Sequence, residues 1–339
     1  MAKVKKILLI SLISCAFSLS AQDGSTAYNF LNITQSAKIY GLGGVNITTV
    51  EEDVTTTDQN PALLGSEMSG QITLNYMRYL GDSNFAGLVY THSSGENAAW
   101  AAGLQYFGYG SITETDVTGA VLGSLSPQDI NFYGAYSRDL NSKVRGGFKV
   151  KAIYSAYGDY SAFALATDLG VNYYDDEHEL SLSAVVANLG GQVKRFDESY
   201  DRLPVDVRLG WSQIFGTFPV RFSVTAWNLT KWHLPYYDNG DGTSANAPEL
   251  KDTFGSNLFR HLIFGADIVA SEKFYLSTAY NYKTRSDMST YSRSFLSGWS
   301  LGAGLNTTKF RLGLAFAQPH SGATTLMVNL GLNLNDLIK

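Results

Sequence analysis

The residues of this chain that could do chemistry are scattered. His92, His178, His233, His261 and His320 show no metal-ligand spacing such as His-Glu-x-x-His. His261, beside Arg260 and in phase with Asp267, reads as a hydrogen-bonding histidine. No Gly-x-Ser-x-Gly elbow and no phosphate loop is present. The chain therefore reads as a non-enzyme without cofactor or metal. A hydrolase would need Ser, His and an acid to meet in space without a motif. Asp238-Asn239-Gly240-Asp241-Gly242-Thr243 has the composition of a calcium loop. With Gly242 in the invariant glycine slot the first ligand position falls on Tyr237, so an exposed turn is the better reading.

Charge is more informative. Arg145, Lys149 and Lys151 alternate in one stretch. Asp168, Asp206, Arg208, Arg221, Asp267, Lys283 and Arg311 take the same phase of others. Such residues either line a charged channel or form a buried ion-pair network. The mixed signs favour the network, because charges in a narrow lumen must be paired.

The elements that carry these charges are β-strands. From Phe295 to Leu334 three stretches alternate with period two, as strands do. Phe295, Trp299, Leu301, Ala303 and Leu305 form one face, then Phe310, Leu312, Leu314 and Phe316, then Leu326, Val328, Leu330, Leu332 and Leu334. The opposite faces hold mostly Gly, Ser, Asn and Ala, where a soluble sandwich would put Lys and Glu. Apolar outside and small or polar inside is the pattern of a transmembrane β-barrel. Only 16% of the 339 residues are charged, against 21 Tyr, 18 Phe and 33 Gly, which suits a lipid-facing wall with aromatic girdles. The net charge of −5, without a basic block, argues against nucleic acid as a partner.

Residues 1–21 read as a signal peptide. Lys3, Lys5 and Lys6 precede the apolar run from Ile7 to Phe17, and Ser20-Ala21 offers a cleavage site. Cleavage there would leave no cysteine. Leu12-Ile13-Ser14-Cys15 is the competing lipobox reading, with Cys15 lipidated. Residues 22–68 lack strand character. They read as a plug inside the lumen, with Asn60, Pro61 and Ala62 at its core, or as a periplasmic extension. Residues 69–339 are read as the barrel. Strand periods fall near 69–80, 83–93, 97–107, 128–138, 144–155, 160–174, 178–188, 203–213, 218–229, 258–270, 274–284, 293–305, 309–317 and 324–334. The fold class is thus all-β, with fourteen antiparallel strands. Every second connection is tight, whereas 108–127, 190–202, 230–257 and 285–292 fall on the other parity. Outer-membrane barrels sort loops in this way, short turns periplasmic and long loops outside. The orientation that follows puts both termini in the periplasm.

The loop 230–257 opens with aromatics. Trp232, His233, Tyr236 and Tyr237 are candidates for binding a protein partner, since Trp and Tyr are favoured anchors. Alternatively Trp232 and Tyr236 belong to a girdle at the lipid headgroups.

Two resemblances follow from particular residues. Asn60-Pro61-Ala62 after a plug-like segment and before fourteen strands resembles the FadL-like barrels. From about residue 25 onwards the chain also resembles the PorQ family of the type IX secretion system of Bacteroidetes. The residues that carry this include Tyr28-x-Phe30-Leu31-Asn32, Leu42-Gly43-Gly44, Asn75-Tyr76-x-x-Tyr79-Leu80, Asn188-Leu189-Gly190, Trp227-Asn228-Leu229 and Arg260-His261. The resemblance implies a Gram-negative outer-membrane scaffold. Its outer loops would hold a PorZ-like surface protein and, through it, the PorU/PorV sortase complex, with outer-membrane lipid around the wall. The rival functions are a FadL-like channel for hydrophobic small molecules and a PorV-like cargo shuttle. Inward Gly, Ser, Asn and charge argue against a large apolar pocket, and a continuous apolar cavity beside Asn60 to Leu64 would favour the channel.

Overall fold

Alternation of apolar and small residues closes this chain into a barrel. The computed structural model describes residues 26–198, 200–215, 218–238, 249–271, 273–288, 295–320 and 323–337. The signal segment, Cys15 and most of the Asp238–Thr243 turn lie outside them. Barrel strands are β1 (Gln71–Arg78), β2 (Asn84–Ser93), β3 (Ala98–Gly108), β6 (Gln128–Asp139), β7 (Val144–Tyr157), β8 (Tyr160–Asp175) and β9 (Leu180–Lys194). They continue with β10 (Asp206–Ile214), β11 (Val220–Ala226), β14 (Leu262–Ser271), β15 (Phe274–Asn281), β16 (Trp299–Asn306), β17 (Phe310–His320) and β18 (Ala323–Asn333). All fourteen are antiparallel to their neighbours, and β1 pairs with β18 to close the ring. Closure leaves no backbone edge facing lipid, which a bilayer demands. No helix among the described residues is long and apolar enough to cross a membrane.

The two faces separate as the pleat requires. On β7, Phe148, Val150 and Tyr154 are exposed, while Lys149, Lys151, Ile153 and Ser155 are buried. On β18, Leu326 and Leu330 face out, and Met327 and Asn329 face in. All longer connections leave one end of the barrel, between β3 and β6, β9 and β10, β11 and β14, and β15 and β16. They carry two hairpins of their own, β4 (Ile112–Thr115) with β5 (Val121–Leu125) and β12 (Tyr236–Asp238) with β13 (Glu249–Lys251).

Three expected strands are shorter than their apolar pattern. Phe254–Arg260 and Tyr282–Asp287 are helices, and Phe295 and Leu296 precede β16. The cause is capping: Thr253 and Ser256 form a reciprocal capping box, and the Asn281 side chain accepts from the Thr284 N–H. Lys283 therefore sits on a helix, paired with Asp287 at 2.8 Å, rather than on an inward strand phase.

Residues 26–68 run through the interior. Thr26 bridges Arg202 at the long-loop end, while Leu334–Leu337 follows β18 at the short-turn end. The described start and finish of the chain thus lie at opposite ends of the barrel, not at one end as the loop parity suggested. Short capped turns fold the inserted segment. Ser36 caps helix α1 (Ala37–Gly41), Asp53 caps Val54–Asp58, and Asn60 caps Pro61–Leu63 with proline at the first position.

Glycine lets α1 touch the wall. A Cβ on Gly41 would come within 2.6 Å of the Gly302 Cα, and one on Gly302 within 2.4 Å of the Ser277 Oγ. Gly41→Ala is expected to cost about 1–3 kcal/mol through overpacking. The midpoint of the heat-induced shift in gel mobility should fall accordingly. Gly255→Ala, where nothing lies within 4 Å, should leave that midpoint unchanged.

Candidate functional site

The inward charges meet the inserted segment, whose own charges the sequence reading had not used. Lys149 donates to the Asp58 carbonyl and lies 3.4 Å from its carboxylate. Lys151 pairs with Asp168 at 2.7 Å and donates to the Asn188 side chain at 2.7 Å. Asn188 adopts a positive φ of 58° beside a register shift between β8 and β9, a conformation Asn tolerates. This aims its N–H at Asp168, 2.7 Å away. Arg208 pairs with Asp206 at 2.8 Å and reaches back to Gln59 and Asn32 of the segment. Asn60 bonds the Ile47 carbonyl and the Ser183 hydroxyl, and Gly147 and Gly170 leave room for it, Pro61 and Ala62 against the wall.

A second cluster lies nearer the short-turn end. Glu51 takes both Lys38 and Arg221, the latter at 2.8 Å. Asp267 lies 3.2 Å from Lys38 and 3.5 Å from Arg221. Arg145 and Arg311 are peripheral. Arg145 pairs with Asp139 and Glu67, and Arg311 lies 3.9 Å from Glu52. The inward charges therefore form paired clusters rather than a single-sign lining.

Two sizeable cavities among the described residues lie on the β14–β17 side. The lower one, of about 340 Å³, holds Lys38, Glu51, Glu52, Asp53, Arg221 and Arg311 beside Phe274 and Tyr275. The upper one, of about 210 Å³, opens at the long-loop end. Ile33, Tyr40, Val45, Tyr79, Trp227 and Ala317 give it apolar walls. Part of its polar lining is engaged, while the buried Trp227 Nε1 has no hydrogen-bond partner among the described residues. Asn32 accepts from Arg208, Ser300 donates to the Gly41 carbonyl, and Asn281 caps a helix. The apolar cavity beside Asn60 to Leu64 that would favour a channel is not what lies there: Val54, Leu64, Met68 and Tyr133 pack as a buried cluster. The residues of the upper cavity come from distant parts of the chain, so no local motif announces them.

The aromatic loop residues divide. Tyr236 is half-buried under Arg260, and its hydroxyl meets that of Tyr282 at 3.1 Å. Burial and the Tyr282 hydroxyl push the Tyr236 phenol up, so it stays neutral. Trp232 stacks on His261 and packs on Phe254. Neither ring lies on a barrel strand. His233 and Tyr237 are exposed, His233 being 3.6 Å from Asp252. Both ring nitrogens of His261 meet backbone carbonyls, of Trp227 and Trp232, rather than a serine.

The Lys151–Asp168 pair gives a direct test. Lys151→Ala leaves a buried carboxylate short of its main cation and should cost about 3–5 kcal/mol. Replacing both, as Lys151→Met with Asp168→Leu, should recover most of that loss in urea-dependent unfolding from lipid.

No family model matches this sequence, and no curated protein does. Solved structures do match in fold. A FadL homologue of Pseudomonas aeruginosa aligns at TM-score 0.50 and 11% identity, over 88% of this chain and 98% of that one. The toluene transporter TodX of Pseudomonas putida aligns at TM-score 0.54 and 11% identity, over 88% and 97%. A deltaS2S3 mutant of TodX, described as a monoaromatic hydrocarbon channel, aligns at 0.54 and 12%, over 89% and 100%. This chain has the fold of the FadL-type, fourteen-stranded outer-membrane barrels.

Proposed function

We propose that the barrel takes up small hydrophobic compounds, about the size of a single aromatic ring, at its long-loop end, which faces out of the cell. The upper cavity carries this reading. Its apolar walls and volume of about 210 Å³ suit such a ligand; an apolar cavity of roughly 150 Å³ is enough to hold benzene. The FadL-type fold, shared with a toluene transporter, supports it. Residues 26–68 act in this reading as the plug that seats the ligand. Binding of toluene to the detergent-solubilised barrel, followed by tryptophan fluorescence, tests the proposal. Ala317→Phe, which fills the cavity, should weaken binding at least tenfold while heat-modifiable migration is kept. Equal toluene binding by this variant and the native chain would overturn the reading.

A second reading, a type IX secretion scaffold of PorQ type that holds a PorZ-like surface protein, has its own support in the β11–β14 loop. The loop is folded rather than loose: Leu234 N–H bonds the Asn257 side chain, and Arg260 is buried against Ser286 and Asp287. On this frame Tyr237, Leu250 and Phe254 are exposed, the apolar and aromatic kind of surface that partners use. If the scaffold reading holds, a surface protein should co-purify with the native barrel from mild detergent and be lost with Tyr237→Ser plus Phe254→Ser. Unchanged recovery would remove this loop from the interface.

A further inference from the structure

The two cavities lie above and below one short element. Three neighbouring strands cross the same three levels. On β16, Ser300 borders the upper cavity, Gly302 touches α1 and Asn306 borders the lower cavity. On β15 the order is Asn281, Ser277 and Tyr275, and on β17 it is Ala317, Gly313 and Arg311. Ser300 and Asn306 are six residues apart, roughly 20 Å along a strand. Helix α1 fills the gap, with Tyr40 on the upper cavity and Lys38 on the lower.

We infer that α1 is the septum of an axial passage, that the lower cavity is its hydrated second compartment, and that Glu51 is the latch that keeps the septum shut. The inference rests on the uptake reading above. The lower cavity has the charged lining of a watery vestibule, in contrast to the apolar upper one. Against the wall, α1 presents small groups: Gly41 meets Gly302, and Ala37 faces Gly313. Toward β18 it is held by neutral hydrogen bonds, the Ala37 N–H donating to the Asn329 side chain and the Tyr40 hydroxyl meeting that of Thr325. What fixes the lower face of α1 is ionic. Glu51, on the stretch that follows α1, grips Lys38 of α1 and Arg221 of β11 at once, with Asp267 of β14 completing two cations and two anions. The Lys38 ammonium also sits over the Tyr275 ring, 4.7 Å from its centre. Removing the Glu51 charge leaves Lys38 and Arg221 to share Asp267, so α1 loses its tie to the segment below it.

Hydrogen–deuterium exchange on the reconstituted full-length barrel tests this. The reporters are the α1 amides: Tyr40 N–H donates to the Ser36 carbonyl, and Leu42 N–H to the Lys38 carbonyl. In Glu51→Gln these amides should exchange at least tenfold faster, while Leu63 N–H, bonded to the Asn60 carbonyl, keeps its native rate. In planar bilayers the same variant should open conductance steps that the native barrel lacks. Arg221→Gln removes the other half of the grip and serves as a second variant should Glu51→Gln fail to assemble. Unchanged α1 exchange in an assembled variant would overturn the latch. So would equal acceleration at α1 and at Leu63, because that is general loosening. Toluene binding is followed in the same samples. Absence of binding in the native chain overturns the uptake reading, whereas intact binding with unchanged exchange overturns the latch alone.

Discussion

A wall that faces hydrocarbon on one side must put every polar group it carries on the other, and there each buried charge needs a partner. That constraint organises the interior. The wall supplies most of the cations: Lys149, Lys151, Arg208 and Arg221. The inserted segment answers with Asp58 and Glu51, while Asp168, Asp206 and Asp267 balance the remainder from the wall itself. Neither part could be charged in this way alone. An empty barrel would hold unpaired lysines in a narrow lumen, and the free segment would carry acids with nothing to bind. Fourteen strands enclose more space than inward side chains can fill, and the segment takes up most of what is left.

The barrel was legible because one period, two residues, governs all of its strands. Leu326, Val328, Leu330 and Leu332 declare a lipid face whatever surrounds them. The helices Phe254–Arg260 and Tyr282–Asp287 were missed because their apolar residues also satisfy a strand pattern. The signals that decide between the two were present: Thr253 and Ser256 three residues apart, and Asn281 followed by Thr284. Charge phase was readable for Lys149, Lys151 and Asp168, since they lie on regular strands. The segment's partner of Lys149 was not, since Asp58 sits in a short turn whose path no periodicity fixes. The upper cavity was the least legible of all. Ile33, Tyr79, Trp227 and Ala317 meet only after closure, and alanines or glycines on an inward face say equally well that something fills the space or that nothing does.

Paired charge also limits what the barrel can be. A water-filled porin would leave its lining charges solvated and separate. Here Lys149 and Asp168 are almost wholly buried, and both take part in ion pairs. The two cavities described above lie on the other side, toward β14–β17. The scaffold reading places no demand on the lumen beyond rigidity, and the ion-pair clusters supply that. The uptake reading needs one part of the interior to yield.

The fastening of the segment is uneven in the way that need implies. Toward β6–β10 it is held by Lys149 on Asp58, Arg208 on Gln59, Asn60 on Ser183 and the Ser137 hydroxyl on the Leu64 carbonyl. Toward β15–β17 it rests on Gly302 and Gly313, with Ser300 donating to the Gly41 carbonyl. Movement there breaks neutral hydrogen bonds, including those of Ala37 and Tyr40 to Asn329 and Thr325 of β18, whereas withdrawal from the Lys149 side would strand buried charge. The cost of movement is therefore lowest at α1, between the two cavities. Evolution of a pure anchor would gain stability by filling these spaces with larger side chains, as it has filled the space around Val54, Leu64 and Met68. Glycine at both Gly41 and Gly302 keeps the contact thin at the point where a passage would have to open.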